Sequence, residues 1–119
     1  WFAGQRPEAG EALRVVAAAA EGSWQPGPNG VPLDAAQTVA AVVHVLRTRA
    51  DLASALPFAV SLGGDTDTVA ALVGGILGGR QGGAVAELPW LDRVRMDDRD
   101  RVTELASRLS EQRRTAYVD

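Results

Sequence analysis

Residues 63–68 read Gly-Gly-Asp-Thr-Asp-Thr and run straight into an apolar segment rich in small residues. Asp65, Thr66, Asp67 and Thr68 place two carboxylates and two hydroxyls in four consecutive positions. Residues two apart on a helix point to nearly opposite sides, so Asp65 and Asp67 cannot share a helical face. At the non-helical start of a helix they can converge, and Gly63 and Gly64 allow the tight backbone this needs. Carboxylate and hydroxyl oxygens are hard donors that suit Mg²⁺ or Ca²⁺ rather than zinc. The same residues also suit an ordinary cap, since Asp and Thr are favoured N-caps and acids suit the positive end of the helix dipole. One cap uses one side chain, whereas four are offered here, so a metal site and a cap both stand open.

The element behind this turn is expected to be a helix from about Asp67 to about Arg80. Val69, Leu72, Val73, Ile76 and Leu77 form an aliphatic face, and Ala70, Ala71, Gly74, Gly75, Gly78 and Gly79 a small-residue face. Each interior glycine costs about 0.5–1 kcal/mol relative to alanine, so close approach of neighbouring backbones is expected in compensation. A helix without a polar face belongs in the centre of its domain. The apolar run is too short to span a membrane. No Gly-Lys-Ser/Thr follows the glycines, which excludes a phosphate loop.

The other positioning elements are helices joined by short loops. Glu8 to Glu21 is Ala-rich and ends at Gly22, and residues 22–30 form a loop rich in Gly and Pro. Asp34 and Gln37 fit a capping box for a helix to about Arg49, with Val39, Val42, Val43 and Leu46 as its buried stripe. Asp51 suits the cap of a helix to about Leu62, which Pro57 should kink or start later. Residues 81–88 are a glycine-bearing connection. Asp98 to Arg114 is amphipathic, with Val102, Leu105, Ala106 and Leu109 on one side. No alternating strand pattern is present, and the fold class is all-α.

The stretch from Ala59 to Gly79, Ala-Val-Ser-Leu-Gly-Gly-Asp-Thr-Asp-Thr-Val-Ala-Ala-Leu-Val-Gly-Gly-Ile-Leu-Gly-Gly, resembles the C-terminal signature of the ADP-ribosylglycohydrolase family. Gly82, Gly83 and the Pro89-Trp90 pair fit the same pattern, and Asp34 to Val42 is similar to the helix preceding the signature. The resemblance covers about Val31 to Val94. It implies an all-helical domain, of which these residues are the C-terminal portion. It also implies a site with two Mg²⁺ ions that hydrolyses the bond between ADP-ribose and a protein side chain or small acceptor. Carried over, Asp65, Asp67 and Thr68 are metal ligands, with Asp67 central to catalysis, and Gly63, Gly64 and Thr66 are candidate substrate contacts. The family's other ligand set, Thr-Asp-Asp, comes from an N-terminal segment and does not occur here. That segment is therefore an expected partner, together with the ADP-ribosylated substrate. Met96-Asp97-Asp98 holds an Asp-Asp pair but follows the signature and reads as the capped start of the last helix. A non-catalytic, crystallin-like relative that keeps the fold is the alternative.

Composition agrees with one small domain. The chain has 119 residues, begins at Trp1 and carries its single methionine at Met96, which suggests a piece of a longer product. All 12 basic residues are arginines, which suggests a bacterial source. The net charge of −3 argues against a nucleic-acid surface. Cysteine is absent, which excludes a disulfide framework and a thiol nucleophile. No signal peptide or membrane span is apparent, and a cytoplasmic location is expected. His44 and Trp24 read as packing residues, Trp90 as an apolar plug at a helix start, and Arg93, Arg95, Arg99 and Arg101 as a solvated face. The Ser61 hydroxyl is expected to bond back to its own helix.

Overall fold

The computed structural model describes residues 7–118. They form α1 (Pro7–Glu21), α2 (Ala35–Thr48), α3 (Leu52–Ser61), α4 (Thr66–Gln81) and α5 (Arg99–Val118), with short 3₁₀ turns at Gly82–Val85 and Leu91–Arg93. No strand occurs among the described residues. Isolated bridges pair Gly27 with Gly30 and Val31 with Gly64. No described helix is long and apolar enough to cross a membrane.

Aspartates start three of the helices. Oδ2 of Asp34 accepts the Gln37 N–H at 2.9 Å, Oδ2 of Asp51 accepts the Ser54 N–H at 3.1 Å, and Oδ1 of Asp98 accepts the Arg101 N–H at 2.9 Å. Each satisfies one of the donors that a helix start leaves unpaired. The expected capping box at Asp34 is only half formed. Gln37 Oε1 instead accepts the indole N–H of Trp24 at 2.9 Å. A buried indole needs that partner, and the exposed start of α2 can use water.

α2 packs against α1, α3 and α4, and α3 packs along α4. Their shared core holds Trp24, Val31, Ala40, Ala41, Val42, Val45, Leu52, Ala55, Ala59, Val69, Val73 and Leu77. α2 buries Thr38, Ala40, Ala41, Val42 and Val45. Of the expected stripe Val42 is buried, Val43 and Leu46 pack half-buried against the core, and Val39 is exposed. A helix packed on several sides needs small residues at its contacts. Thr38 can be buried because its hydroxyl donates to the Asp34 carbonyl at 3.0 Å. α3 starts at Leu52 despite Pro57, which lies inside the helix on its exposed side.

α4 is less enclosed than its composition suggests. Val69, Val73 and Leu77 are buried one turn apart, whereas Leu72 and Ile76 remain 45% and 48% exposed. A Cβ at Gly74 would meet the Leu56 side chain, and one at Gly75 or Gly79 would meet nothing among the described residues. The close backbone approach expected of these glycines occurs elsewhere, at the turn before the helix. α5 also departs from expectation: Val102, Leu105 and Leu109 are all exposed. Its start is tied down by Arg99, which donates to the carbonyls of Leu91 and Val94 at 3.0 and 2.9 Å. The Cα radius of gyration is 17.0 Å, against about 14 Å for a compact domain of this length, as a helix standing off the core requires.

Candidate functional site

The turn into α4 is built from backbone before any side chain acts. Gly63 and Gly64 both adopt left-handed conformations, with φ of 76° and 75°. Two such residues in succession need glycine. Asp65 follows with φ −75° and ψ 58°. This is an inverse γ-turn, closed by the Thr66 N–H donating to the Gly64 carbonyl at 2.8 Å. The Asp65 carbonyl then accepts the Val69 N–H at 3.3 Å and begins the helix.

A second segment clasps this turn. The Val31 N–H donates to the Gly63 carbonyl at 2.9 Å, and the Asp65 N–H donates to the Val31 carbonyl at 2.8 Å. The loop before α2 and the turn before α4 thus grip each other on both sides of Gly64. Neither Gly30 nor Gly64 could carry a Cβ, which would overlap the facing backbone of Gly63 and of Val31 respectively. Val31 is buried and roots the clasp in the core. In the sequence, Gly and Pro content marks residues 22–30 only as a loop.

On this frame Asp65 stands where a cap would stand, yet its side chain makes no cap hydrogen bond. Oδ1 accepts the Thr68 hydroxyl at 2.9 Å instead. The start of α4 therefore differs from those of α2, α3 and α5, whose aspartates all bind a backbone N–H. Asp67 lies beside Asp65. The Asp65 carboxyl, then the backbone N–H groups of Thr68 and Asp67, hold the Asp67 carboxyl below its ordinary pKa, with burial acting in the opposite direction. Asp67 is ionised at neutral pH. Asp65 and Thr66 are half-buried, and Asp67 and Thr68 are exposed.

The three proposed ligands are thus together, with oxygen donors only, and the Asp65 carboxylate is withheld from the helix backbone. This donor set fits a hard divalent cation. No group of three or more His, Cys, Asp or Glu side chains able to hold a metal occurs among the described residues. Of the candidate substrate contacts, Gly64 is exposed while Gly63 and Thr66 are half-buried.

The packing readings hold for other residues. The Ser61 hydroxyl donates to the Phe58 carbonyl at 2.6 Å, back into its own helix. Trp24 is buried, with its ring centroid 5.4 Å from that of His44, which lies 5.7 Å from Phe58. Burial among these rings lowers the His44 pKa.

No curated protein and no solved structure matches the chain. The family model described as ADP-ribosylglycohydrolase matches residues 2–119, a longer span than the signature and its flanking helices. With an all-α fold, and with the Gly-Gly-Asp-Thr-Asp-Thr turn at the head of its apolar helix, the chain belongs to the ADP-ribosylglycohydrolase family.

Proposed function

We propose that this chain is the C-terminal part of a magnesium-dependent hydrolase that cleaves the bond between ADP-ribose and a protein side chain or small acceptor. Family membership supports a hydrolase of ADP-ribose linkages. The observation that carries the finer reading is the Asp65 carboxylate, which takes a cap position without capping and turns to Thr68 beside Asp67. A protein that needed only a cap had three examples of how to make one.

Asp65, Asp67 and Thr68 would hold the metal from this side, with Asp67 as the central ligand. When bound, Mg²⁺ supplies Lewis acidity to the ribose hydroxyls and to a water near the anomeric carbon. The chain's own residues contribute charge and position. Asp67, ionised and exposed, carries negative charge into the site. Thr68 fixes one oxygen of Asp65 and leaves the other for a ligand. Gly63, Gly64 and Thr66 would meet the substrate where bare backbone permits close approach. The remaining ligands would come from an N-terminal Thr-Asp-Asp segment of the same domain. The exposed Leu72 and Ile76 on α4 support such a covering segment. The use of arginine at all 12 Lys/Arg positions fits a bacterial protein.

Release of free ADP-ribose from an ADP-ribosylated protein, with magnesium and in a metal-free control, tests this reading. The partial ligand set favours one alternative, a non-catalytic relative that keeps the fold. That alternative expects no release under either condition.

A further inference from the structure

We propose that Gly30 and Val31 are positioning residues for the metal-ligating face of Asp65, acting through the clasp between their loop and the turn before α4. The proposal rests on the metal reading above and names what aims that site.

The geometry leaves Asp65 little backbone freedom of its own. Its N–H is held by the Val31 carbonyl at 2.8 Å. Its ψ is set by the γ-turn bond from the Thr66 N–H to the Gly64 carbonyl. Its carbonyl is held by Val69, and its Oδ1 by Thr68. Of these restraints, only the Val31 bond comes from outside the segment 63–69. Together with the Val31 N–H bond to the Gly63 carbonyl, it ties the turn to the loop before α2.

Gly30 sets how closely that outside segment can come. It closes a tight turn, its N–H donating to the Gly27 carbonyl at 3.0 Å, with φ 81°. Its bare Cα lies against Gly63, whose own Cβ, were one present, would meet Gly30 only at 3.7 Å. A Cβ at Gly30 has no such room and would overlap the Gly63 carbonyl carbon. Relief requires the loop and the turn to separate, which breaks the two bonds flanking Gly64 and releases Asp65. Gly27, in the same loop, has open space around it and no left-handed φ. A change there should leave the clasp intact.

The test is magnesium binding by the full-length protein, measured by calorimetry and by the rise in melting temperature during a MgCl₂ titration. Gly30→Ala should raise the magnesium midpoint by about tenfold or more, the usual effect of losing a group that orients a ligand. Gly27→Ala should leave it unchanged. Val45→Ala, in the buried core away from the turn, should lower the metal-free melting temperature without moving the midpoint. This separates positioning from general destabilisation. If Gly30→Ala fails to fold, Val31→Ala takes its place, because it loosens the buried root without a clash and should raise the midpoint in the same direction. A wild-type midpoint in the folded position-30 or position-31 variant, with magnesium binding lost in Asp65→Asn, overturns the positioning role alone. Undiminished magnesium binding in Asp65→Asn overturns the metal reading and this proposal with it.

Discussion

Thr68 donates its hydroxyl to Oδ1 of Asp65 across 2.9 Å, while no backbone N–H of α4 binds that carboxylate. The Asp65 carboxylate therefore pairs none of the free N–H groups at the start of the helix. Asn at this position keeps an oxygen that can accept from Thr68. Asp65→Asn should leave metal-free stability within about 0.5 kcal/mol of wild type. Magnesium should stabilise the wild-type domain by mass action, by about 2.7 kcal/mol at a hundred times its dissociation constant. The variant should lose that gain. Paired thermal melts with and without magnesium decide the matter, and a full magnesium response in the variant removes Asp65 from the ligand set.

Trp24 and Gln37 carry a second prediction. Trp24 is 7% exposed, and its indole N–H donates to Gln37 Oε1. Gln37→Leu would leave a buried N–H unpaired, at a cost of about 1–3 kcal/mol. Gln37→Glu retains an acceptor and should cost less. Urea midpoints at constant denaturant slope measure both. Equal losses in the two variants would show that Gln37 matters for its shape and not for its hydrogen bond.

These two sites also mark what could be read in the sequence. Asp34, Asp51 and Asp98 were legible as caps because capping is local and depends on one residue type ahead of a periodic run. The cluster of Asp65, Asp67 and Thr68 was legible for the same reason: its members lie within one turn. The clasp of Val31 on Gly63 and Asp65 was not, because backbone-to-backbone bonds between distant segments leave no side-chain pattern. The Gln37 side chain was misread because its local and distant partners compete, and the buried one prevailed. Hydrophobicity alone favoured Val39 for the core of α2, whereas tight helix contacts selected Ala41 and Thr38.

His44 supplies a pH test. Burial beside Trp24 and Phe58 lowers its pKa from the ordinary value of 6.5. The folded state then binds the proton less readily than the unfolded chain. Its contribution to stability is fully present above the unfolded value and is lost as pH falls through the folded value. Melting temperature should fall on acidification from pH 8 to below 6, and His44→Gln should reduce that slope. An NMR titration midpoint for the imidazole at or above 6.5 would contradict it.

The exposed aliphatic residues bear on completeness. Leu72 and Ile76 on α4, and Val60 on α3, stay open to solvent, as do Val102, Leu105 and Leu109 on α5. Open apolar surface of this kind drives association. The 119 residues expressed alone should aggregate, or melt broadly and bind a hydrophobic dye. Supplying the N-terminal segment should remove the dye binding and sharpen the melt. A monomer with a sharp, cooperative transition in its absence would contradict this expectation.

Asp67 decides the mechanism. A cation at the N-terminus of α4 meets the unfavourable end of the helix dipole, equivalent to about half a positive charge. Only full carboxylate charges nearby can outweigh it. Asp67 sits in the first turn of α4, where a hydrogen bond with the Asp65 carboxyl and then the backbone N–H groups of Thr68 and Asp67 hold its pKa below the ordinary value. Neutralising it should therefore harm turnover more than removing the neutral Thr68 hydroxyl. Asp67→Asn in the full-length protein should lower turnover of an ADP-ribosylated substrate by about 10²-fold or more, as for loss of a positioned electrostatic group. Thr68→Ala should cost less, since water can replace a neutral hydroxyl as a ligand, although Asp65 then loses the bond that orients it. Release of free ADP-ribose is the measurement, with magnesium present and beside a metal-free control. Near-normal turnover in Asp67→Asn, or equal activity without magnesium, would exclude the metal-dependent hydrolase. No turnover in the wild-type protein under either condition would leave the non-catalytic relative as the reading that fits.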